Sequence, residues 1–361
     1  MDGSLKKLQE INPILAKLVD GNSLTTEEAE RLIYTIFVND TEGLHLATFV
    51  GAIHAKGETA DELAGFLAAT KRLAVQIDIG CDVDKTTDLS GTGGGKFKTI
   101  NVSTAASFVV AAAGYTVAKA AYYGVTSPTG SADVFTALGV DFLKLPKIRV
   151  EQTLRKVGIC PIIVPFISPK MKNRSSISRK FFVERKIQVR SPFHLASNIY
   201  SPLPMNHRIY GCYSEPHLEI LAELFIKLGF KRSLTFCAEI GMPEISNVGD
   251  TIVVEQDGSK LKKYKLRPRD LGVEEARLED IQTGGKKQNI IDFLRILKGK
   301  DKGAKADLVV INAAASLYVL GGVSSIPEGV EKAREILKSG AGFEKLQRLV
   351  EQIGSPQTIK G

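Results

Sequence analysis

The chain has 361 residues, of which 43% are apolar and 24% charged, and a formal net charge of +8. That length is too great for one ordinary core and suits one large or two moderate domains. The opening MDGSLKKLQEINPILAKLV is charged throughout, unlike a signal peptide, and the longest apolar stretch, around Phe108–Ala113, is far too short for a membrane span. A cytoplasmic protein with no membrane partner is expected.

Cys81, Cys160, Cys212 and Cys237 show no C-x-x-C spacing, and the five histidines form no pair at helical spacing. A zinc site or a disulfide framework is therefore not expected.

In chain order, the first seventy or so residues read as helices. Thr25-x-x-Glu28 and Thr59-x-x-Glu62 are capping boxes, each followed by apolar residues at helical spacing. From a strand at Thr86–Ser90 the pattern becomes strand, glycine turn, helix, strand, with Ser103–Ala113 as the helix and Tyr115–Lys119 as the next strand. This alternation predicts an α/β domain with a mostly parallel central sheet flanked by helices, beside a smaller all-α domain. Next comes a basic run: between Lys144 and Arg190 thirteen Lys and Arg face only Glu151 and Glu184. It includes a helical segment at Val150–Val157 and reads as an interdomain crossing.

Further strands are predicted at Ser233–Cys237, Thr251–Glu255, Lys262–Leu266 and Leu308–Ile311. Asp257-Gly258 marks a hairpin, because that dipeptide supplies the positive φ angles of a tight turn. Two closing helices follow the capping box Ser325-x-x-Glu328 and Gly342. The discontinuous division expected is a helical domain of 1–74 plus about 147–195, and an α/β domain of 75–146 plus about 196–361.

The most informative segment is Asp88-Leu-Ser-Gly91-Thr92-Gly93-Gly94-Gly95-Lys96-Phe-Lys98-Thr99-Ile-Asn101-Val-Ser103-Thr104. Glycines let backbone amides approach an anion without a Cβ in the way, and consecutive amides form an anion-binding concavity. The helix that follows offers free amides, the positive end of its dipole and two hydroxyls, and Lys96 and Lys98 add charge. The Walker-type loop fails because Phe97 follows Lys96, and the dinucleotide fingerprint fails because Lys96 occupies its third glycine position. The residues alone leave a phosphate site and a structural turn both open.

SGTGGGKFKTINVST resembles the GTGGD…T-x-N-[IV]-S-T loop of the anthranilate phosphoribosyltransferases, within glycosyltransferase family 3. KAAYYGVTSPTGSADVFTALGV is similar to the same family's K-H-G-N…S-G-S-A-D block. The likeness continues through Arg190–Leu203, Glu239–Ser246 and VVINAAASLYVLG. The resemblance implies a helical domain joined to an α/β domain, a homodimer formed through the helical part, and phosphoribosyl pyrophosphate bound with magnesium. By motif, Gly91, Thr92, Gly93, Gly94, Gly95, Thr99, Asn101, Ser103, Thr104 and Lys119 would hold the pyrophosphate and ribose phosphate. Ser127 and Ser131 would line the same site, Lys119 would be catalytic, and Ser103 and Glu244 would face the metal. Arg190 matches the family's arginine at the aromatic acceptor.

Departures from the pattern concern metal and acceptor. The aspartate that ends GTGGD is Gly95, and the family's acidic pair is Pro243-Glu244. Ala120, Ala121 and Tyr122 replace His-Gly-Asn, and Tyr123 follows; His194 stands in the altered F-N-L-L-G-P-L motif. Tyr122 and Tyr123 could stack on a flat acceptor or simply pack, and His194 is a candidate acid or base. Three functions follow: pentosyl transfer to an acceptor other than, or more loosely held than, anthranilate, nucleoside phosphorolysis, or a silent paralogue that binds nucleic acid through the Lys144–Arg190 run.

Overall fold

A computed structural model describes residues 3–95, 97–124, 129–187 and 189–359. The chain divides into two compact units: Met1–Gln76 with Val164–Pro202, and Ile77–Ile163 with Leu203–Gly361.

The first unit is helical. Both predicted capping boxes form: Thr25 opens helix Thr26–Asn39 and Thr59 opens helix Ala60–Leu73. These two helices pack against each other so closely that a Cβ on Gly65 would lie 2.5 Å from that of Ala29. Helices Gly3–Glu10, Asn12–Val19 and Leu44–Lys56 accompany them. At the core, the rings of Phe37, Phe66 and Phe193 meet edge to face at 5.1–5.9 Å. The guanidinium of Arg174, 8% exposed, lies over the same three rings.

The second unit is α/β. Its strands are β1 (Thr86–Thr87), β2 (Leu89–Gly91), β3 (Thr116–Ala120), β4 (Ile159–Ile162), β5 (His207–Gly211), β6 (Arg232–Ala238), β7 (Thr251–Asp257) and β8 (Lys260–Leu266). They form two sheets, ordered β1-β3-β4 and β2-β5-β6-β7-β8, parallel except for the β6-β7 and β7-β8 pairs. The hairpin turns at Asp257-Gly258 as expected, with Gly258 at φ +58°. Its edge strand, KLKKYKL, is lined with exposed lysines, which discourage pairing with another sheet.

Two expectations are corrected. Leu308–Ile311 is no strand but part of helix Ala304–Val319, buried nearly all round among helices Val102–Ala112 and Ile326–Ser339. A short apolar run carries no period that separates a buried helix from a buried strand. Residues 147–163 belong to the α/β unit: helix Lys147–Val157 leads into β4, which ladders onto β3. The return to the helical unit comes at Val164 and lasts to Pro202, later at both ends than the composition suggested.

Candidate functional site

The chain from Thr86 to Gly91 changes sheet at Asp88. Thr86 and Thr87 pair with β3, while Leu89, Ser90 and Gly91 pair with β5. Asp88 is fully buried between the two ladders and clasps them: its Oδ1 accepts from the amide of Ala120 at 3.2 Å, and its Oδ2 from Arg208 at 2.8 Å. The same nitrogen of Arg208 donates to Ser90 Oγ at 2.8 Å. The glycine loop therefore leaves a firmly held strand end.

At that end the backbones crowd. A Cβ on Gly91 would lie 2.6 Å from the carbonyl oxygen of Gly211, and one on Gly211 would overlap the carbonyl of Pro243. Thr92 ties the loop down, its amide donating to Gly211 O and its Oγ1 accepting from the amide of Tyr213. The hydroxyl also donates to Gly93 O, so Thr92 braces the loop. Gly93 and Gly94 then take φ of +61° and +74°, in the left-handed region where a side chain costs about 1–2 kcal/mol. Among the described residues, the amides of Gly93, Gly94 and Gly95 make no hydrogen bond within the protein. Lys96 lies outside the described residues. The far limb is anchored by a bridge between Thr99 and Gln282, and by the Thr283 amide donating to Lys98 O.

Helix Val102–Ala112 begins immediately afterwards. Asn101 occupies its N-cap position but makes no capping bond; its Oδ1 is buried without a partner, and so is Oγ1 of Thr104, a residue 1% exposed. N-cap side chains ordinarily accept from the first helical turn, and buried polar atoms are nearly always paired. Two orphans thus follow a run of free amides along one loop–helix segment, and groups of this kind are able to bind an anion. Ser103, partly exposed, opens the same turn.

Lys119, on β3, is 2% exposed and donates to Ala120 O at 2.9 Å. Burial pushes its ammonium below the usual lysine range; Asp88 raises it and Arg208 lowers it further. After β3, Ser131 Oγ accepts from the Tyr122 amide, and Asp133 collects the amides of Gly124 and Gly130. Tyr123, 45% exposed, meets Phe142 edge to face at 6.3 Å. Ser127 lies outside the described residues.

Glu244 follows Pro243, whose ring the loop touches: a Cβ on Gly95 would lie 2.9 Å from Pro243 Cδ. Burial pushes the Glu244 carboxyl up to about 7. The next peptide is fixed by Asn312, which accepts from the Ile245 amide and donates to its carbonyl. Among the described residues no three His, Cys, Asp or Glu side chains gather to hold a metal.

His194 and Arg190 belong to the helical unit. His194 Nδ1 lies 3.4 Å from Ser191 Oγ, and its ring packs edge-on to Phe182. Burial, then Arg190, lowers its pKa, so the imidazole is neutral at pH 7. Arg190 is exposed.

Sequence reasoning missed Arg208 and the role of Asp88. An arginine inside a β-strand gives no signal of its own; only the register of β2 on β5 brings it to the carboxylate.

Comparison with known proteins agrees with this architecture. Residues 83–343 match the model described as glycosyl transferase family, a/b domain, and residues 12–74 the one described as glycosyl transferase family, helical bundle domain. The chain is 37% identical to the anthranilate phosphoribosyltransferase of Methanococcoides burtonii, covering 93% of this chain and 92% of the relative. It is 33% identical to that of Haloarcula marismortui, covering 93% and 98%. Among solved structures, the Thermus thermophilus anthranilate phosphoribosyltransferase superposes with a TM-score of 0.85 at 31% identity, covering 94% of this chain and 99% of that one. The Saccharomyces cerevisiae enzyme in complex with PRPP and Mg superposes at 0.82, with 22% identity and coverage of 96% and 98%, and shows the shared fold. With both domains matched in order and relatives above 30% identity along nearly its whole length, the chain belongs to the glycosyl transferase family that contains the anthranilate phosphoribosyltransferases.

Proposed function

We propose that the protein transfers a phosphoribosyl group from phosphoribosyl pyrophosphate to an aromatic or nucleobase acceptor held differently from anthranilate. Membership of a phosphoribosyltransferase family supports the reaction class. The observation that carries the donor is the loop itself: unbonded amides at Gly93–Gly95, and the partnerless Asn101 Oδ1 and Thr104 Oγ1 at the helix start. We assign these residues, with Gly91, Thr99, Ser103, Ser131 and Lys119, to the phosphates and ribose.

Displacement at an anomeric carbon passes through an oxocarbenium-like state, which needs a stabilised leaving group more than a strong nucleophile. Preorganised amides and a buried ammonium serve that need, because they do not reorganise as charge develops on the departing pyrophosphate. Thr92 contributes by bracing the turn.

The yeast relative binds PRPP and Mg. Here one carboxylate, Glu244, stands where the family has two, and Gly95 replaces a third, which weakens the protein's own hold on the ion. Magnesium favours substrate phosphates together with one or two carboxylates. Ser103 and Glu244 are the residues we assign to an ion that arrives on the donor.

For the acceptor, the neutral His194 and the exposed Tyr123 are the residues to test. Calorimetric titration of phosphoribosyl pyrophosphate, with and without magnesium, is the decisive experiment. Binding at micromolar to low millimolar donor is expected, and absence of heat at millimolar donor removes the reading. A screen of aromatic amines and nucleobases for pyrophosphate release then identifies the acceptor; release of a free base that requires inorganic phosphate would make the protein a phosphorylase instead.

A further inference from the structure

Beneath the loop, three charged side chains share a buried space. Asp88 and Arg208 are 0% exposed and Lys119 is 2% exposed. An isolated carboxylate there would be costly to desolvate, so a partner is required. Two cations are candidates, and they do not share it equally. Arg208 takes Asp88 Oδ2, and the Ala120 amide takes Oδ1. Lys119 makes one hydrogen bond, to Ala120 O, and no ion pair among the described residues. The guanidinium and carboxylate neutralise each other, which leaves the ammonium as the unbalanced charge. An ammonium has three donors, and one of these is used.

We propose that Arg208 is a positioning residue of the anion site: by holding Asp88 and Ser90 it withholds the internal counter-ion from Lys119, so that a phosphate or pyrophosphate group becomes the ammonium's counter-ion. This inference rests on the donor reading given above, and it assigns a task to a residue outside the family's loop motifs.

The groups facing Lys119 are Asp88, at the break between β1 and β2, and Arg208, from β5. Around them lie Tyr210 and Cys212, from β5 and its end, and Tyr122, which follows β3. Burial holds the Tyr210 hydroxyl protonated and pushes the Cys212 thiol up to about 12, so neither supplies negative charge near neutral pH. The free ammonium is held below the ordinary lysine range, mainly by burial; Asp88 raises it and Arg208 depresses it further. An arriving anion stabilises the charged form and draws a proton onto Lys119. Donor binding therefore takes up a proton in the pH window between the lowered pKa of the free ammonium and the higher pKa of the bound one. In an Arg208→Gln variant, Asp88 is released to pair with Lys119. The ammonium then keeps its proton without ligand, but its charge is already neutralised.

The test is calorimetric titration of phosphoribosyl pyrophosphate between about pH 7 and 9.5, in buffer pairs of different ionisation heat, with melting temperatures recorded in parallel. Wild type should show proton uptake on binding within this range, varying with pH. Arg208→Gln should bind about tenfold more weakly, with uptake reduced or abolished. Arg208→Lys, which keeps the charge but loses the fork to Asp88 and Ser90, should fall between the two. Unchanged affinity and unchanged uptake in Arg208→Gln overturn the proposal while leaving the donor site standing. Should that variant fail to fold, wild type alone decides: donor binding with no proton uptake across the range overturns it. No binding by the folded wild type removes the donor reading, and this inference with it.

Discussion

Thr104 shows how a single hydroxyl separates folding from function. Its Oγ1 is buried without a partner, in a residue 1% exposed. An unmatched buried polar group costs roughly 1–3 kcal/mol. Thr104→Val keeps the shape and removes that cost, so thermal unfolding should show equal or greater stability, while donor affinity measured by titration falls about tenfold. A variant that loses stability and keeps its affinity would mean that the hydroxyl faces no ligand. Glu244 gives a second test, through pH. Its carboxyl is raised from 4.5 to about 7 by burial, so the folded state holds the proton more tightly than the unfolded chain does. The associated stability is complete below pH 4.5 and is lost as pH climbs through about 7. Glu244→Gln should flatten the stability profile over that interval and unfold at a higher temperature than wild type at pH 8. Parallel wild-type and variant profiles from pH 4 to 8 would show that this carboxyl titrates normally.

Among the elements, the glycine turn depends on contacts that lie far away in sequence. The strand, glycine turn and helix around the loop were legible because four glycines interrupt the pattern between a strand and a Ser/Thr helix, although the residues alone left the turn's purpose open. The capping boxes at Thr25 and Thr59 and the Asp257-Gly258 hairpin were legible for the same reason: each is a short-range signal carried by its own residues. What was not legible depends on register. Strand β5 was not expected, and without it neither Arg208 nor the crowding of Gly91, Gly211 and Pro243 can be inferred. Helix Ala304–Val319 was read in part as a strand because it is apolar on every side. Pairing across elements also links two departures from the family pattern, Gly95 and Pro243. An aspartate at 95 would bring its Cβ within 2.9 Å of Pro243 Cδ. Gly95→Asp alone should therefore destabilise by about 1–3 kcal/mol, through strain in a packed loop. Combining it with Pro243→Ala should recover much of that loss. Denaturant titration of the two single variants and the double variant gives the coupling directly, and strictly additive changes would show that the two positions are independent.

Across the whole molecule, the excess of positive charge proves less concentrated than the sequence suggests. Of the thirteen basic residues between Lys144 and Arg190, many have partners in their own unit. In the α/β unit, Lys144 pairs with Asp141, Lys147 with Glu151, and Arg149 and Arg155 donate to backbone carbonyls. In the helical unit, Arg174 is buried among aromatic rings, Arg179 pairs with Glu184 and Lys180 donates to Thr41 O. Lys156, Lys170, Lys172, Arg185 and Lys186 are exposed, with no ion pair or side-chain hydrogen bond among the described residues. They are divided between the two units. Affinity for duplex DNA falls with salt at a logarithmic slope of about −0.9 per neutralised phosphate. A run of thirteen free cations would give a slope near −12, whereas these five give no more than about −4 to −5. We therefore expect weak binding to duplex DNA, with that shallow slope between 50 and 200 mM salt, lost when the five are changed together to glutamine. The same five-fold variant should retain donor binding, since none of the five belongs to the glycine loop. A slope much steeper than −5, or loss of the donor together with DNA, would return the basic run to the centre of the protein's function.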